Sequence, residues 1–242
     1  MKDITYIGNS LDLLKQLLKE PEFRVKKWIF DRRKIEAPED LEISLLAVAS
    51  SLDLRQALSD LADGEICIMH SFGFIIPEDL AARLQIFNIH SGSLTSNRGR
   101  NPVEWAILLG WEKDEISLHK IDGSIDGGVL IATEEVKIEQ EDTPITLRKK
   151  YQQHFPALFA ALAEYLDGKR PGNAVCPGIY RPRVSEQDYT IDLASDDLFV
   201  IRNKIRSQAG YNGAVLWING EKHYIHSLTE LFDAGLLPKG KS

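Results

Sequence analysis

The chain has 242 residues, 43% hydrophobic and 27% charged, a balance that excludes collagen-like and disordered chains. With 29 Lys and Arg against 36 Asp and Glu its formal charge is −7, the wrong sign for neutralising many phosphates, so extended nucleic acid is disfavoured while a small phosphorylated ligand is not. Cys67 and Cys176 lie far apart with no CxxC spacing, which removes a disulfide scaffold and a zinc knuckle and leaves no metal expected. The first residues carry alternating charges and no long apolar run, so the expectation is a cytoplasmic protein with no membrane partner.

In chain order, residues 4–7 read as a strand, 11–19 as a helix and 25–30 as a strand. A helix near 52–61 then leads into a strand at 66–69, and a helix at 80–84 into a strand at 86–90. Such alternation implies an α/β fold, a Rossmann-like and mostly parallel sheet with helices on both faces. Ligands of such sheets sit beyond the carboxyl ends of the strands. That directs attention to Gly8-Asn9, His70-Ser71 and Asn88-Ile89-His90. Around Gly8 there is no second or third glycine for a dinucleotide, and no GxxxxGK[ST] loop occurs, so an oxidoreductase or an ATPase is disfavoured.

On a strand, residues two apart share a face, so Asn88 and His90 project together while Phe87 and Ile89 pack behind them. An amide donor beside an imidazole suits acyl transfer, the first for an oxygen that becomes negative, the second for moving a proton. A long polar loop, 91–100, follows with Asn97, Arg98 and Arg100. Asn101, Pro102 and Glu104 then predict a capped helix start with a capping box, ended by Gly110. Two arginines ahead of a helix start form a natural receptor for phosphate or carboxylate.

Residues 116–121 alternate as a strand and deliver the loop Asp122-Gly123-Ser124-Ile125-Asp126-Gly127-Gly128 before a strand at 129–133. A carboxylate near His90 would orient the ring and favour its charged form, and either Asp122 or Asp126 is also an ordinary turn residue. Residues 143–166 have helical spacing that Pro156 should kink or split. The glycine- and proline-bearing run 168–173 marks a boundary between a catalytic domain, 1–172, and a small subdomain, 173–242. That annex holds a helix near 195–205 and a β-hairpin, 214–218 and 222–225, around Asn219-Gly220. The hairpin edge leaves a homodimer open.

The run Phe87-Asn88-Ile89-His90, with Leu94, Asn97-Arg98-Gly99 and Pro102, followed by residues 121–128, resembles the core signature of formyltransferases that use 10-formyltetrahydrofolate. The family's Leu-Pro is Leu94-Thr95 here, and its Asp-Thr-Gly-Asp is Asp126-Gly127-Gly128-Val129. Asn97-Arg98-Gly99-Arg100-Asn101-Pro102 with Trp105, and Tyr180-Arg181-Pro182-Arg183 with Glu186, Asp188 and Ile191-Asp192, are similar to sugar N-formyltransferases, which act on nucleotide-linked amino sugars. The resemblance implies Asn88, His90 and Asp126 as catalytic groups. It places the folate against His70, Phe72, Gly73, Phe74 and Ile75 and against Ile121, Asp122 and Ile125, and the dTDP- or UDP-linked amino sugar at Asn97, Arg98 and Arg100. His119, His154, His223 and His226 show no partner pattern and receive no role. Another amine acceptor, such as methionyl-tRNA, and a catalytically idle nucleotide- or folate-binding protein are the alternatives. The first is expected to need a larger carboxyl-terminal domain and tRNA contacts.

Overall fold

The first strands are near-continuous apolar runs, so each buries both faces. The structure, a computed structural model, describes residues 1–38, 41–176 and 178–238. Its first half is β1 (Lys2–Gly8), α1 (Leu11–Leu17), β2 (Phe23–Asp31), β3 (Ser44–Val48), α2 (Ser51–Ser59), β4 (Ile66–His70), α3 (Glu78–Arg83) and β5 (Gln85–His90). Then come β6 (Arg98–Gly99), α4 (Pro102–Leu108), β7 (Lys113–Lys120), β8 (Val129–Lys137), α5 (Pro144–Gln152) and α6 (Phe155–Leu166). The chain continues through β9 (Asn173–Ala174), β10 (Tyr180–Arg181), β11 (Thr190–Ile191), α7 (Leu198–Ser207), β12 (Ala214–Ile218), β13 (Glu221–Ile225) and α8 (Leu228–Asp233).

The main sheet has the order β3-β2-β1-β4-β5-β7-β8-β9. The five strands from β3 to β5 are parallel, and β7, β8 and β9 each run antiparallel to the neighbour before them. Sequence reading missed β3, an exposed edge strand with little alternation, and the antiparallel half. The loop 121–128 is too short for a crossover, so β7 and β8 can only return on themselves.

Ile4, Tyr6, Trp28, Phe30, Ile68, Phe87 and Ile89 face one core, covered by α1, α4, α5 and α6. Their neighbours Ile7, Ile29, Cys67 and Ile86 face the other, covered by α2 and α3. Ser50 and Thr143 cap α2 and α5 with capping boxes. The apolar pattern of 143–166 breaks into two helices at Gln153-His154, with Pro156 in the first turn of the second, where its missing N–H is harmless.

The remaining core is a separate cluster of Ile191, Ile201, Ile205, Ala214, Leu216, Ile225 and Leu231 under a three-stranded sheet, β11-β12-β13. Asn219 and Gly220 at the hairpin tip have φ of 51° and 83°, the left-handed pair of a tight two-residue turn. Neither β9 nor β10 is part of this cluster's sheet: β9 extends the main sheet beside β8, and β10 pairs with β6.

Candidate active site

The carboxyl ends of β1, β2, β4 and β5 open into one crevice of about 880 Å³, also walled by the starts of α1 and α4, by α5 and by the loops 71–76 and 121–126. Asn88 and His90 stand on its floor, 9% and 7% exposed, because Phe87 and Ile89, which alternate with them, are anchored in the opposite core. Asp126 reaches the same place from the β7–β8 loop. Its Oδ1 is 3.6 Å from His90 Nδ1, beyond a direct hydrogen bond and within ion-pair range once the imidazole takes a second proton. Its Oδ2 accepts the Gly99 N–H at 2.6 Å. Asp126 itself holds φ at 48°, a left-handed conformation that a non-glycine residue keeps only when its surroundings fix it.

His90 Nε2 lies 2.9 Å from the Asn97 carbonyl, which can only accept, so Nε2 carries the proton and Nδ1 turns to Asp126. Asn97 is fully buried. Its amide donates to the Pro102 carbonyl and to Asp114, both at 2.8 Å. Asp114 also accepts from the Ser93 N–H and the Tyr151 hydroxyl, and burial pushes its carboxyl above the usual range. A buried polar knot thus sets the carbonyl that sets His90.

Several sequence-based expectations need correction. Asn97 does not line the crevice. Arg98 does not either: its guanidinium donates to the Ile125 carbonyl and ties down the loop that carries Asp126. Asp122 accepts from the Ser124 N–H and hydroxyl as a turn residue and stays off the crevice wall. Asn101 makes no cap. It sits at φ 55°, and its side-chain oxygen accepts the Val184 N–H instead. Glu104 closes no capping box but is buried, accepting from Arg148 and from the Tyr211 hydroxyl. His70 lines the crevice on the opposite sheet face from Asn88 and His90. Its Nδ1–H donates to the Ile89 carbonyl at 2.7 Å, the ring meets Phe155 edge-on, and burial pushes it down to about 4.

Phe72, Gly73, Phe74, Ile75, Ile121 and Ile125 do line the crevice, as does the exposed Arg100. Phe72 and Phe74 pack on one another with ring centroids 5.4 Å apart, and Arg33 caps the Phe74 ring. Arg183 is a lining residue that spacing alone did not single out. Its neighbour Arg181 stacks over Trp105 and Trp111, and Trp105 donates to the Pro182 carbonyl, so the tail is fastened to α4 beside the crevice. His119, given no role from the sequence, has a partner in the structure. It is fully buried in β7, with Nε2 3.0 Å from Asn88 Nδ2 and Nδ1 2.8 Å from the Gly127 carbonyl. The available signal was its place on an alternating strand just before the loop 121–128, but only strand pairing puts it opposite Asn88.

Among the described residues no group of three or more His, Cys, Asp or Glu side chains is placed to hold a metal ion, and no helix is long and apolar enough to cross a membrane.

Residues 47–161 match the family model described as formyl transferase. The methionyl-tRNA formyltransferase of Acidiphilium cryptum is 28% identical over 173 residues, which are 70% of this chain and 56% of that protein. The chain therefore spans little more than half the length of that curated relative. A 4-N formyltransferase from Francisella tularensis has the same fold, with a TM-score of 0.77 at 19% identity over 93% of this chain and 97% of that one. WlaRD, a sugar 3N-formyl transferase solved in the presence of dTDP and 5-N-formyl-THF, matches with a TM-score of 0.67 at 19% identity over 92% of this chain and 84% of that one.

Proposed function

We propose that this protein transfers the formyl group of 10-formyltetrahydrofolate to the amine of a nucleotide-linked amino-deoxy sugar. The observation that carries the reading is the meeting of Asn88, His90 and Asp126, contributed by a strand and a distant loop, at the floor of a crevice large enough for small-molecule ligands. The folate supplies a formyl carbon on N10 that is open to attack. The amine lone pair forms the new C–N bond, the carbonyl electrons move onto oxygen, and on collapse the bond to N10 breaks while the amine's proton ends on N10.

Asn88 offers an amide N–H to the oxygen as it becomes negative, and losing one such donor typically costs about 3 kcal/mol of transition-state stabilisation. His90 holds Nε2–H on the Asn97 carbonyl, so the nitrogen that takes and returns the proton is Nδ1. Asp126 faces Nδ1 and stabilises the imidazolium while it lasts. Phe72, Phe74 and Ile75, with Ile121 and Ile125, give a flat ring apolar walls and backbone polar groups. Arg100 and Arg183 bring positive charge to the crevice for the acceptor's phosphates.

Structures of similar fold include sugar formyltransferases, whereas curated sequence relatives include methionyl-tRNA formyltransferases. The charge of −7 favours the small acceptor. The protein should be incubated with 10-formyltetrahydrofolate and a panel of dTDP- and UDP-linked amino sugars, with methionyl-tRNA as a separate arm, and products weighed by mass spectrometry. The expected result is the mass gain of one formyl group on a sugar, dependent on both substrates. Formylated tRNA with untouched sugars would replace the acceptor class. Folate binding without turnover on any amine would sink the transferase reading.

A further inference from the structure

We propose that His119 is a positioning residue that fixes which way round the Asn88 amide stands and thereby aims an amide N–H at the formyl oxygen. The inference rests on the formyl-transfer reading for its purpose but not for its geometry. By shape alone the oxygen and nitrogen of an asparagine amide are interchangeable, and only the hydrogen-bond network distinguishes them. Here the network has a single solution. The Gly127 carbonyl can only accept, so the His119 nitrogen 2.8 Å away, Nδ1, carries the proton. In a neutral ring Nε2 is then a lone pair, and the group 3.0 Å from it must be a donor, the Asn88 Nδ2.

Neutrality follows from the surroundings. The ring is fully buried, and desolvation pushes it down to about 4 against the opposing hydrogen bond to Gly127 and the charges of Asp126 and Asp122, with His90 acting in the same direction as burial. Turning the amide over would set Oδ1 against the Nε2 lone pair. Moving the ring proton to Nε2 to accommodate that would leave the Gly127 carbonyl without its donor, which is unfavourable for a buried group. With one Nδ2 proton committed to His119, the second points elsewhere, and Asn88 lines the crevice.

Two measurements test this. Long-range proton–nitrogen NMR on the 15N-labelled protein, with His119→Gln for assignment, should show the Nδ1–H neutral tautomer of His119 throughout pH 8 to 5.5. An Nε2–H tautomer or a charged ring in that range overturns the proposal, whatever the enzyme acts on. In kinetics, His119→Leu should lower kcat about 100-fold with the folate KM within about twofold, and His119→Gln, which restores an acceptor and a donor, should recover part of the loss. The double variant Asn88→Ala with His119→Leu should be no slower than Asn88→Ala alone, since both remove one function. Independent, multiplying losses would overturn the assignment. Absence of formyl transfer by the wild-type protein would instead count against the proposed reaction and leave the NMR result to decide the geometry.

Discussion

The two sides of the crevice are built from opposite faces of one sheet, and they differ in kind. Toward α2 and α3 the lining includes Met69, Phe72, Phe74, Ile76 and Ile121, continuous with the second core. Toward α1, α4 and α5 the lining includes Asp12, Glu104, Arg148, Gln152 and His70, set over Phe155 and Tyr151. Asn88 and His90 lie on the first side and Ile89 between them on the second. A flat, weakly charged ring loses little by burial against the first side, whereas a hydroxylated or anionic ligand needs the second and its arginines. The contrast teaches that one strand end can serve two reactants of unlike polarity because its alternate residues already belong to different layers.

The sharpest way to break this picture is at the centre. His90→Ala or Asp126→Asn should lower turnover about 1,000-fold, roughly 4 kcal/mol of barrier, with little change in thermal unfolding. An unchanged rate would remove either group from the chemistry.

Next in size is an acid effect carried by one buried ring on each side, His70 and His119, both pushed down to about 4 by burial. Between pH 6.5 and 4 the unfolded chain binds the extra protons and the folded protein does not, so stability is full above the unfolded pKa and falls as pH drops through the folded one. The loss should reach at most about 3 kcal/mol per ring, and His70→Asn should flatten part of the curve in urea denaturation. A stability profile level across that window would contradict the buried neutral rings.

Glu104→Ala strands Arg148 and Tyr211 on the charged side and should cost about 2 kcal/mol, a buried-pair value lowered because Arg148 is partly exposed. Glu104→Gln should cost less, as a neutral oxygen still accepts.

The smallest effects separate the two sides directly. Arg100→Ala should raise the acceptor KM about tenfold, near 1.4 kcal/mol, and leave the folate KM alone, while Phe74→Ala should do the reverse. If each change moved both constants equally, the division of labour would be wrong.

The parallel half of the sheet and the Asn88–His90 pair were legible because a two-residue period and a strand end are local properties. Asp122 and Asp126 were not separable in the same way. Both sit in one glycine-rich loop, and only the folded turn shows Asp122 bonded to Ser124 and Asp126 turned toward His90. Arg98 illustrates the limit from the other side: an arginine in a polar loop suggested a ligand, yet its nearest acceptor is the Ile125 carbonyl, 27 residues away in the chain.

By itself the sequence determined the alternation of strands and helices, the splitting of the helix just ahead of Pro156, the hairpin at Asn219-Gly220 and the amide–imidazole pair, since backbone propensity and side-chain period act over a few residues. The antiparallel turn of the sheet after β5, the seating of His119 against Asn88 and the polar knot of Asn97, Asp114 and Tyr151 under His90 were decided only by tertiary structure. These depend on which distant strands pair and in what register, and on the demand that buried polar groups find partners, a condition that is met only when the whole chain has packed.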